Sequence, residues 1–337
     1  MIKEEKISFS LIVCTYERAS SLKRLLDSVK KQTEYPDEIL IIDGSVTEET
    51  KKIIDEYQYA KLKYFKVGEE DRGLTKQRNY GIRHSGNVDV ICFADDDLVL
   101  EKNYFAQLLS TYRKKPEAIA VGGWIDDDTY WRKEEGNYKP KFDEFIIDNY
   151  VRKLGQRNVF RKRLGLLSDK PPGFMPEFSH GFSTGFLPPS DKIYEVEFFM
   201  GGVSSYRSCL FQKIKFSSYF EGYGLYEDMD FCLRTSKIGQ LYVNCAARVV
   251  HYHEQAGRPN KYKFGKMVIR NGWYVWRVKY PDPSLKARLK WHGTAYLLTL
   301  VRLGNVISTP KRKEALTESF GRIAGWFSLI FKNRTSE

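Results

Sequence analysis

Hydrophobic and polar positions in the first 120 residues alternate between two textures. Short, near-continuous apolar runs read as buried strands: Phe9-Ser-Leu-Ile-Val-Cys14, Glu38-Ile-Leu-Ile-Ile-Asp43, Leu62-Lys-Tyr-Phe65, Val88-Asp-Val-Ile-Cys-Phe-Ala94 and Ala118-Ile-Ala-Val121. Between them, apolar residues recur at helical spacing: 19–31 with Leu22, Leu25, Leu26 and Val29, 47–58 with Ile53, Ile54 and Tyr57, then 74–84 and 102–113. Strands buried on both faces and separated by 10–15-residue helices predict an α/β sheet that is mostly parallel. In such sheets ligands sit beyond the carboxyl ends of the strands, so the polar residues 15–18, 43–45 and 95–97 should share one edge.

The rhythm breaks over 125–200, a stretch rich in Pro, Gly and aromatic residues. Within it Ile146, Ile147, Tyr150, Val151 and Leu154 have helical spacing, followed by Arg152, Lys153, Arg157, Arg161, Lys162 and Arg163. This reads as a basic amphipathic helix, lying either on a membrane surface or as a solvated face over a core. A helix is predicted over 226–237, then strands at 241–243 and 248–250, then helices near 259–280, 284–308 and 312–332. Three regions follow: an α/β half (1–124), a second half (125–257) and a helical tail (258–337) with Trp273, Trp276, Trp291 and Trp326. The most apolar stretch of the tail, Thr294 to Val301, falls short of the roughly 20 residues that span a bilayer, so any membrane association would lie in the plane.

Composition narrows the class. With 42% hydrophobic and 15% aromatic residues in 337, the chain can build a core and is neither disordered nor polytopic. Its net charge of +12 is unevenly placed: residues 1–257 carry −1 and residues 258–337 carry +13. The basic character therefore belongs to the tail and suggests docking on an anionic lipid surface. The five cysteines form no CxxC pair and sit partly in apolar runs, which fits a reducing cytosol. No secretory h-region precedes the first strand.

Three clusters carry candidate chemistry. Asp95-Asp96-Asp97 ends a strand, where adjacent carboxylates repel one another unless a cation compensates; such oxygen donors suit Mg²⁺ or Mn²⁺ bridging to phosphate. Glu227-Asp228-Met-Asp230 opens a helix, where the dipole favours carboxylates and one of them could serve as a base. Arg72-Gly-Leu-Thr-Lys-Gln-Arg78-Asn79-Tyr-Gly81 places cations near a helix start, suited to a diphosphate or simply to a basic helix.

Together the ordered motifs resemble a family 2 glycosyltransferase of the GT-A fold, non-processive in type. The resemblance rests on Val13-Cys-Thr15-Tyr16-Glu17-Arg18, Ile41-Ile42-Asp43-Gly44-Ser45, Gly73 to Gly81, Ala94-Asp-Asp-Asp97, Gly201-Gly-Val-Ser-Ser-Tyr-Arg207 and Tyr226-Glu-Asp-Met-Asp230, across roughly 7–253. It implies a Rossmann-like, mostly parallel nucleotide-binding sheet with a C-terminal helical extension. Thr15, Tyr16, Glu17, Arg18, Asp43, Gly73, Arg78, Asn79, Asp95 and Asp96 would bind the nucleotide sugar. Asp95, Asp97 and His251 would hold Mg²⁺ or Mn²⁺, with His253 a neighbouring candidate. Gly201, Gly202, Arg207 and Glu227 would face the donor or acceptor sugar, and Asp228 would be the base. The resemblance implies an inverting, metal-dependent transfer from a nucleotide-diphosphate sugar, UDP favoured over GDP or dTDP, to a glycan or lipid-linked acceptor. The single aspartate in the second motif, Asp43 followed by Gly44, leaves the base open. No QxxRW motif follows Asp228, which argues for single addition rather than polymerisation.

Two other classes compete. A two-metal phosphoryl-transfer enzyme on nucleic acid would use Asp95 and Asp97, but the catalytic edge is acidic and no nucleic acid is expected as a partner. A non-catalytic nucleotide-sugar or lipid-binding protein would not need Asp228. The favoured location is cytoplasmic, at the inner face of the plasma membrane.

Overall fold

The structure, a computed structural model, describes residues 6–127, 129–220, 222–252 and 259–331; His253 lies outside them. In chain order its elements are β1 (Phe9–Thr15), α1 (Ala19–Val29), β2 (Glu38–Asp43), α2 (Glu49–Tyr57), β3 (Leu62–Lys66), α3 (Leu74–His84), β4 (Val90–Asp95), β5 (Leu98–Leu100), α4 (Tyr104–Lys114) and β6 (Ala118–Asp126). There follow β7 (Arg132–Lys133), β8 (Glu144–Ile147), β9 (Tyr150–Lys153), α5 (Gln156–Arg163), β10 (Ile193–Val196), β11 (Val203–Arg207), α6 (Glu227–Thr235), β12 (Gln240–His251), α7 (Lys261–Lys279), α8 (Leu285–Ser308) and α9 (Arg312–Phe331).

The described chain divides into two compact units, one from 1–128 with 189–257, the other from 129–188 with 258–337. Residues 129–188 thus pack with the C-terminal helices. Divided this way, the charge separates further, to −5 on the first unit and +17 on the second.

The first unit is built on a sheet with strand order β10-β12-β6-β11-β4-β1-β2-β3, with β5 added on β12. β4, β1, β2 and β3 run parallel, as their helical crossovers require. The register pairs Thr15 with Asp43 and Cys14 with Asp95, so three strand ends come level at one edge. β11 runs antiparallel to both β4 and β6, bringing its first residue, Val203, beside Ala94 at that edge. Leu11, Val13, Ile39, Ile41, Val90 and Cys92 pack in the core with Leu22, Leu25, Leu26 and Val29 of α1. This is the burial that the sequence periodicity predicts.

The second unit departs from expectation. The predicted amphipathic helix over 146–154 is a hairpin: β8 and β9 pair antiparallel, Ile147 facing Tyr150, with β7 added on β9. Asp148 and Asn149 turn it with φ of 50° and 64°, left-handed values that Asp and Asn tolerate and that match the twist of a two-residue hairpin. The apolar spacing over so short a run fits either period; the Asp-Asn pair decides it. Only Gln156–Arg163 is helical here.

The tail is helical as expected. α7 and α9 approach closely through glycine: a Cβ on Gly265 would lie 2.1 Å from the Glu318 carbonyl oxygen, and one on Gly321 2.1 Å from that of Tyr262. Its tryptophans pack against one another and against His292. Trp276 and Trp291 are buried, Trp273 meets Trp291 edge-on at 4.8 Å, and Trp326 Nε1 donates to His292 Nδ1 at 2.9 Å.

Candidate active site

The site assembles at the carboxyl edge of β1, β2 and β4. Asp95, Asp96 and Asp97 follow one another there, each with its own set of partners. Asp96 accepts from Thr15 Oγ1 at 2.7 Å and Arg18 Nη1 at 3.0 Å. Asp97 Oδ1 lies 3.0 Å from His251 Nε2, at the end of β12, and its Oδ2 lies 3.6 Å from Arg18. Asp95 Oδ1 lies 3.7 Å from Arg78 Nη2, yet its side chain is 42% exposed while those of Asp96 and Asp97 are 4% and 5%. Arg18 thus serves both Asp96 and Asp97, Arg78 faces Asp95, and Asp95 turns furthest toward solvent. Burial pushes Asp96 up to about 6 against the pull of Arg18.

The loops after β1 and β2 are tied together. Glu17, at φ 53°, donates its N–H to Ser45 Oγ, and its carboxylate accepts from Val46 N, Thr47 N and Thr47 Oγ1. Those hydrogen bonds hold Glu17 below the usual carboxylate range. Asp43 is fully buried, accepting from Ser45 N at 2.8 Å and Tyr64 Oη at 2.7 Å. Glu17 and Asp43 thus shape the edge, with both Asp43 oxygens engaged. Tyr16 is 38% exposed and has the Arg72 guanidinium 6.0 Å from its ring.

α3 contributes from behind. Gly73 begins it at φ 120°. Gln77, which the sequence reading passed over, is buried and donates to the carbonyls of both Thr15 and Ile42, at 3.1 and 2.7 Å. It locks the ends of β1 and β2 to the helix. Arg78 is buried and reaches across the site to Glu227, while Asn79 points elsewhere, exchanging two hydrogen bonds with the backbone of Phe216.

α6 supplies the remaining carboxylates. Tyr226, just before it, has φ 70°, an uncommon state for a large side chain that aims the next two residues inward. Glu227 Oε1 accepts from Arg78 Nη1 at 2.6 Å, and Glu227 Oε2 is buried without a hydrogen-bond partner. Burial pushes Glu227 up to about 8 against the pull of Arg78. Desolvation pulls Arg78 down, but Glu227 and Asp95 outweigh it and hold the guanidinium above its ordinary value. Asp228 Oδ2 accepts from Gly201 N at 3.1 Å and its Oδ1 from Met229 N at 2.7 Å. Burial raises Asp228, and these two N–H groups moderate the rise. Asp230 turns away into an i,i+4 pair with Arg234.

Gly201 and Gly202 make this convergence possible. A Cβ on Gly202 would lie 2.2 Å from Asp95 Oδ2, and one on Gly201 2.8 Å from Arg78 Nη1 and 2.9 Å from Glu227 Oε1. They are clearances for the charged cluster, a role the sequence reading did not give them. Arg207 is not part of the site. It pairs with Val90 at the opposite end of β4 and donates to the carbonyls of Ala118 and Pro116. Among the described residues no three His, Cys, Asp or Glu side chains converge as a ready-made metal site; Asp97 and His251 are the pair that meets.

The sequence and the fold both match known proteins. Residues 10–176 fit the family model described as "Glycosyl transferase family 2". The chain belongs to glycosyl transferase family 2. The chain is 34% identical over 128 residues to a glucosyl-dolichyl phosphate glucuronosyltransferase of Haloferax volcanii, covering 37% of this chain and 41% of that one. It is 28% identical over 142 residues to the UDP-Gal:alpha-D-GlcNAc-diphosphoundecaprenol beta-1,3-galactosyltransferase of Escherichia coli, covering 41% and 51%. The chain thus matches about half or less of the length of these relatives. Its fold is that of the mannosyltransferase PcManGT from Pyrobaculum calidifontis in complex with GDP-Man and Mn²⁺: TM-score 0.54, 13% identity, covering 98% of this chain and 89% of that one. The architecture is GT-A, as the motif order implies.

Proposed function

We propose that this chain moves one sugar from a nucleotide-diphosphate sugar to a hydroxyl of a glycan or lipid-linked acceptor, with inversion at the anomeric carbon. One observation carries the reading: Asp228 and Asp95 flank a single Gly-Gly turn, Asp228 Oδ2 held by the Gly201 amide and Asp95 pressed against Gly202. A base and a nucleotide-facing acid then lie on either side of that turn.

Asp228 takes the acceptor hydroxyl proton as the new C–O bond forms and the bond from the anomeric carbon to the diphosphate breaks. The released nucleoside diphosphate carries away the electron pair. Such a base contributes about 10²–10⁴-fold. Arg78, locked by Glu227, orients Asp95 and presents positive charge to the site. Thr15 and Arg18 fix Asp96 at the nucleotide edge. Asp97 and His251 offer one hard oxygen and one imidazole nitrogen, donors that would hold Mn²⁺ or Mg²⁺. Bound there, the cation would supply Lewis-acid neutralisation of the leaving diphosphate.

The donor base favoured is uracil, in line with the UDP-Gal in the name of the E. coli relative. A lipid-linked acceptor at the cytosolic face of a membrane fits the dolichyl and undecaprenyl lipids named in both relatives. The −5 charge of the catalytic unit disfavours a nucleic-acid substrate. A thermal-shift screen of UDP-, GDP- and dTDP-sugars, with and without Mn²⁺, tests the proposal through linkage. Stabilisation by one nucleotide class, enhanced by Mn²⁺, is the expected result. No stabilisation by any of them would sink it.

A further inference from the structure

α8 and α9 leave an apolar face uncovered. On α8 the exposed large side chains are Leu285, Leu289, Tyr296, Leu300, Leu303 and Ile307. At 100° per residue these six fall within one narrow stripe, opposite the buried Ala287, Trp291 and Thr294. On α9, Leu316, Phe320, Ile323 and Phe327 do the same, opposite the glycine contact with α7.

The two stripes share a side. The helices run antiparallel, meeting through Arg302–Glu318, Arg322 to the Leu298 carbonyl, and His292–Trp326. α7 lies across one side of this hairpin, touching α8 through Trp273–Trp291 and α9 through Gly265. Turning each helix from those contacts puts both stripes on the other side. Ile307, 86% exposed, and Leu285, 74% exposed, mark the two ends of the α8 stripe, about 33 Å apart at 1.5 Å per residue.

Charge identifies the occupant. Cations cluster at both ends of α8: Lys286, Arg288 and Lys290 before its middle, and Lys311, Arg312 and Lys313 just after it. The acids in the hairpin are already engaged, Glu318 by Arg302 and Arg322 and Glu314 by Lys261. No helix among the described residues is long and apolar enough to cross a membrane. An apolar stripe with basic ends is the design of a helix lying in a headgroup layer. We infer that the α8–α9 hairpin docks in the plane of an anionic bilayer, its leucine, isoleucine and phenylalanine stripe buried among acyl chains and its lysine and arginine ends on the headgroups. This deepens the lipid-linked acceptor reading, but vesicle binding needs no sugar chemistry, so the two can fail separately.

The test is co-sedimentation of the full chain with mixed phosphatidylcholine–phosphatidylglycerol vesicles and with pure phosphatidylcholine vesicles. Wild type should bind the anionic vesicles more tightly, and less so at high salt. The triple variant Leu289→Ser/Leu300→Ser/Ile307→Ser should lose on the order of ten-fold or more of that affinity. Lys311→Ser/Arg312→Ser/Lys313→Ser should erase much of the preference for anionic vesicles while leaving donor-induced thermal stabilisation intact. Should the triple serine variant fail to fold, Ile307→Glu, at the most exposed position, replaces it and should bind several-fold more weakly. Wild-type affinity in the stripe variants overturns the inference. So does a wild-type dimer that ignores vesicles and becomes monomeric when the stripe is changed, which would make a second copy the occupant.

Discussion

Arg78 Nη1 and Glu227 Oε1 meet at 2.6 Å across 149 residues of chain, both side chains nearly fully buried. The two partners are not equivalent. Burial already pushes Glu227 up to about 8, so without Arg78 it can take a proton and stay neutral. A guanidinium has no such escape. Removing the carboxylate therefore leaves a buried cation with Asp95, at 3.7 Å, as its nearest counter-charge. Glu227→Ala should cost about 3–5 kcal/mol, and Arg78→Met less at neutral pH. Thermal unfolding of the two variants at pH 7 checks the order; a larger loss for Arg78→Met would contradict it.

A methyl group at Gly202 tests the clearance directly. Its Cβ would overlap Asp95 Oδ2 at 2.2 Å and Cγ at 2.3 Å, so the whole carboxyl group of Asp95 must swing aside to yield. Gly202→Ala should keep its melting temperature within a few degrees but lose at least about ten-fold in turnover, since carboxylates at such sites tolerate little displacement. Unchanged turnover would show that the Asp95 orientation does not matter.

Much of this site is legible in the sequence because it sits where apolar runs end. The runs closing at Thr15, Asp43 and Asp95 fix three strand ends, and a parallel sheet has to bring such ends level. What could not be read is what long-range packing decides. Gly201 and Gly202 look like a flexible turn until Asp95 and Arg78 arrive from β4 and α3. Arg207 sits six residues further along a strand, and in an extended chain that carries it to the far edge. Gln77 looks like one more polar residue on a basic helix; its value lies in two carbonyls from strands more than thirty residues earlier. The misread hairpin had a local signal in Asp148-Asn149, outweighed by an apolar spacing too short to distinguish the two periods. The tryptophans of the tail resemble interface anchors in sequence, and only the packing of α8 against α7 and α9 shows that they meet one another and His292.

The second unit should be acid-sensitive through His180. Burial, with Arg161, Arg322 and Arg157 nearby, holds its imidazole down to about 4 from an ordinary 6.5. Because the folded value is depressed, the unfolded chain binds the proton first as pH falls. The contribution is fully present above about pH 6.5 and is lost as pH drops toward 4. At about 1.4 kcal/mol per unit it amounts to at most about 3.5 kcal/mol. Wild type should therefore lose more of its melting temperature than His180→Gln between pH 7.5 and 4.5, as roughly one titrating histidine predicts. Parallel losses in the two proteins would remove His180 from the account.

The central claim is that Asp228 is the base of a nucleotide-sugar-dependent transfer. It is tested most directly by following nucleoside diphosphate release from the stabilising nucleotide sugar with Mn²⁺, for wild type and Asp228→Asn, using slow hydrolysis by water where no acceptor is supplied. The account predicts a fall of about 10²–10⁴-fold with donor-induced thermal stabilisation preserved. It also predicts an acid limb in the wild-type profile above the ordinary carboxylate range, because burial raises Asp228 and the base must be ionised to act. Turnover in Asp228→Asn equal to that of wild type would contradict it.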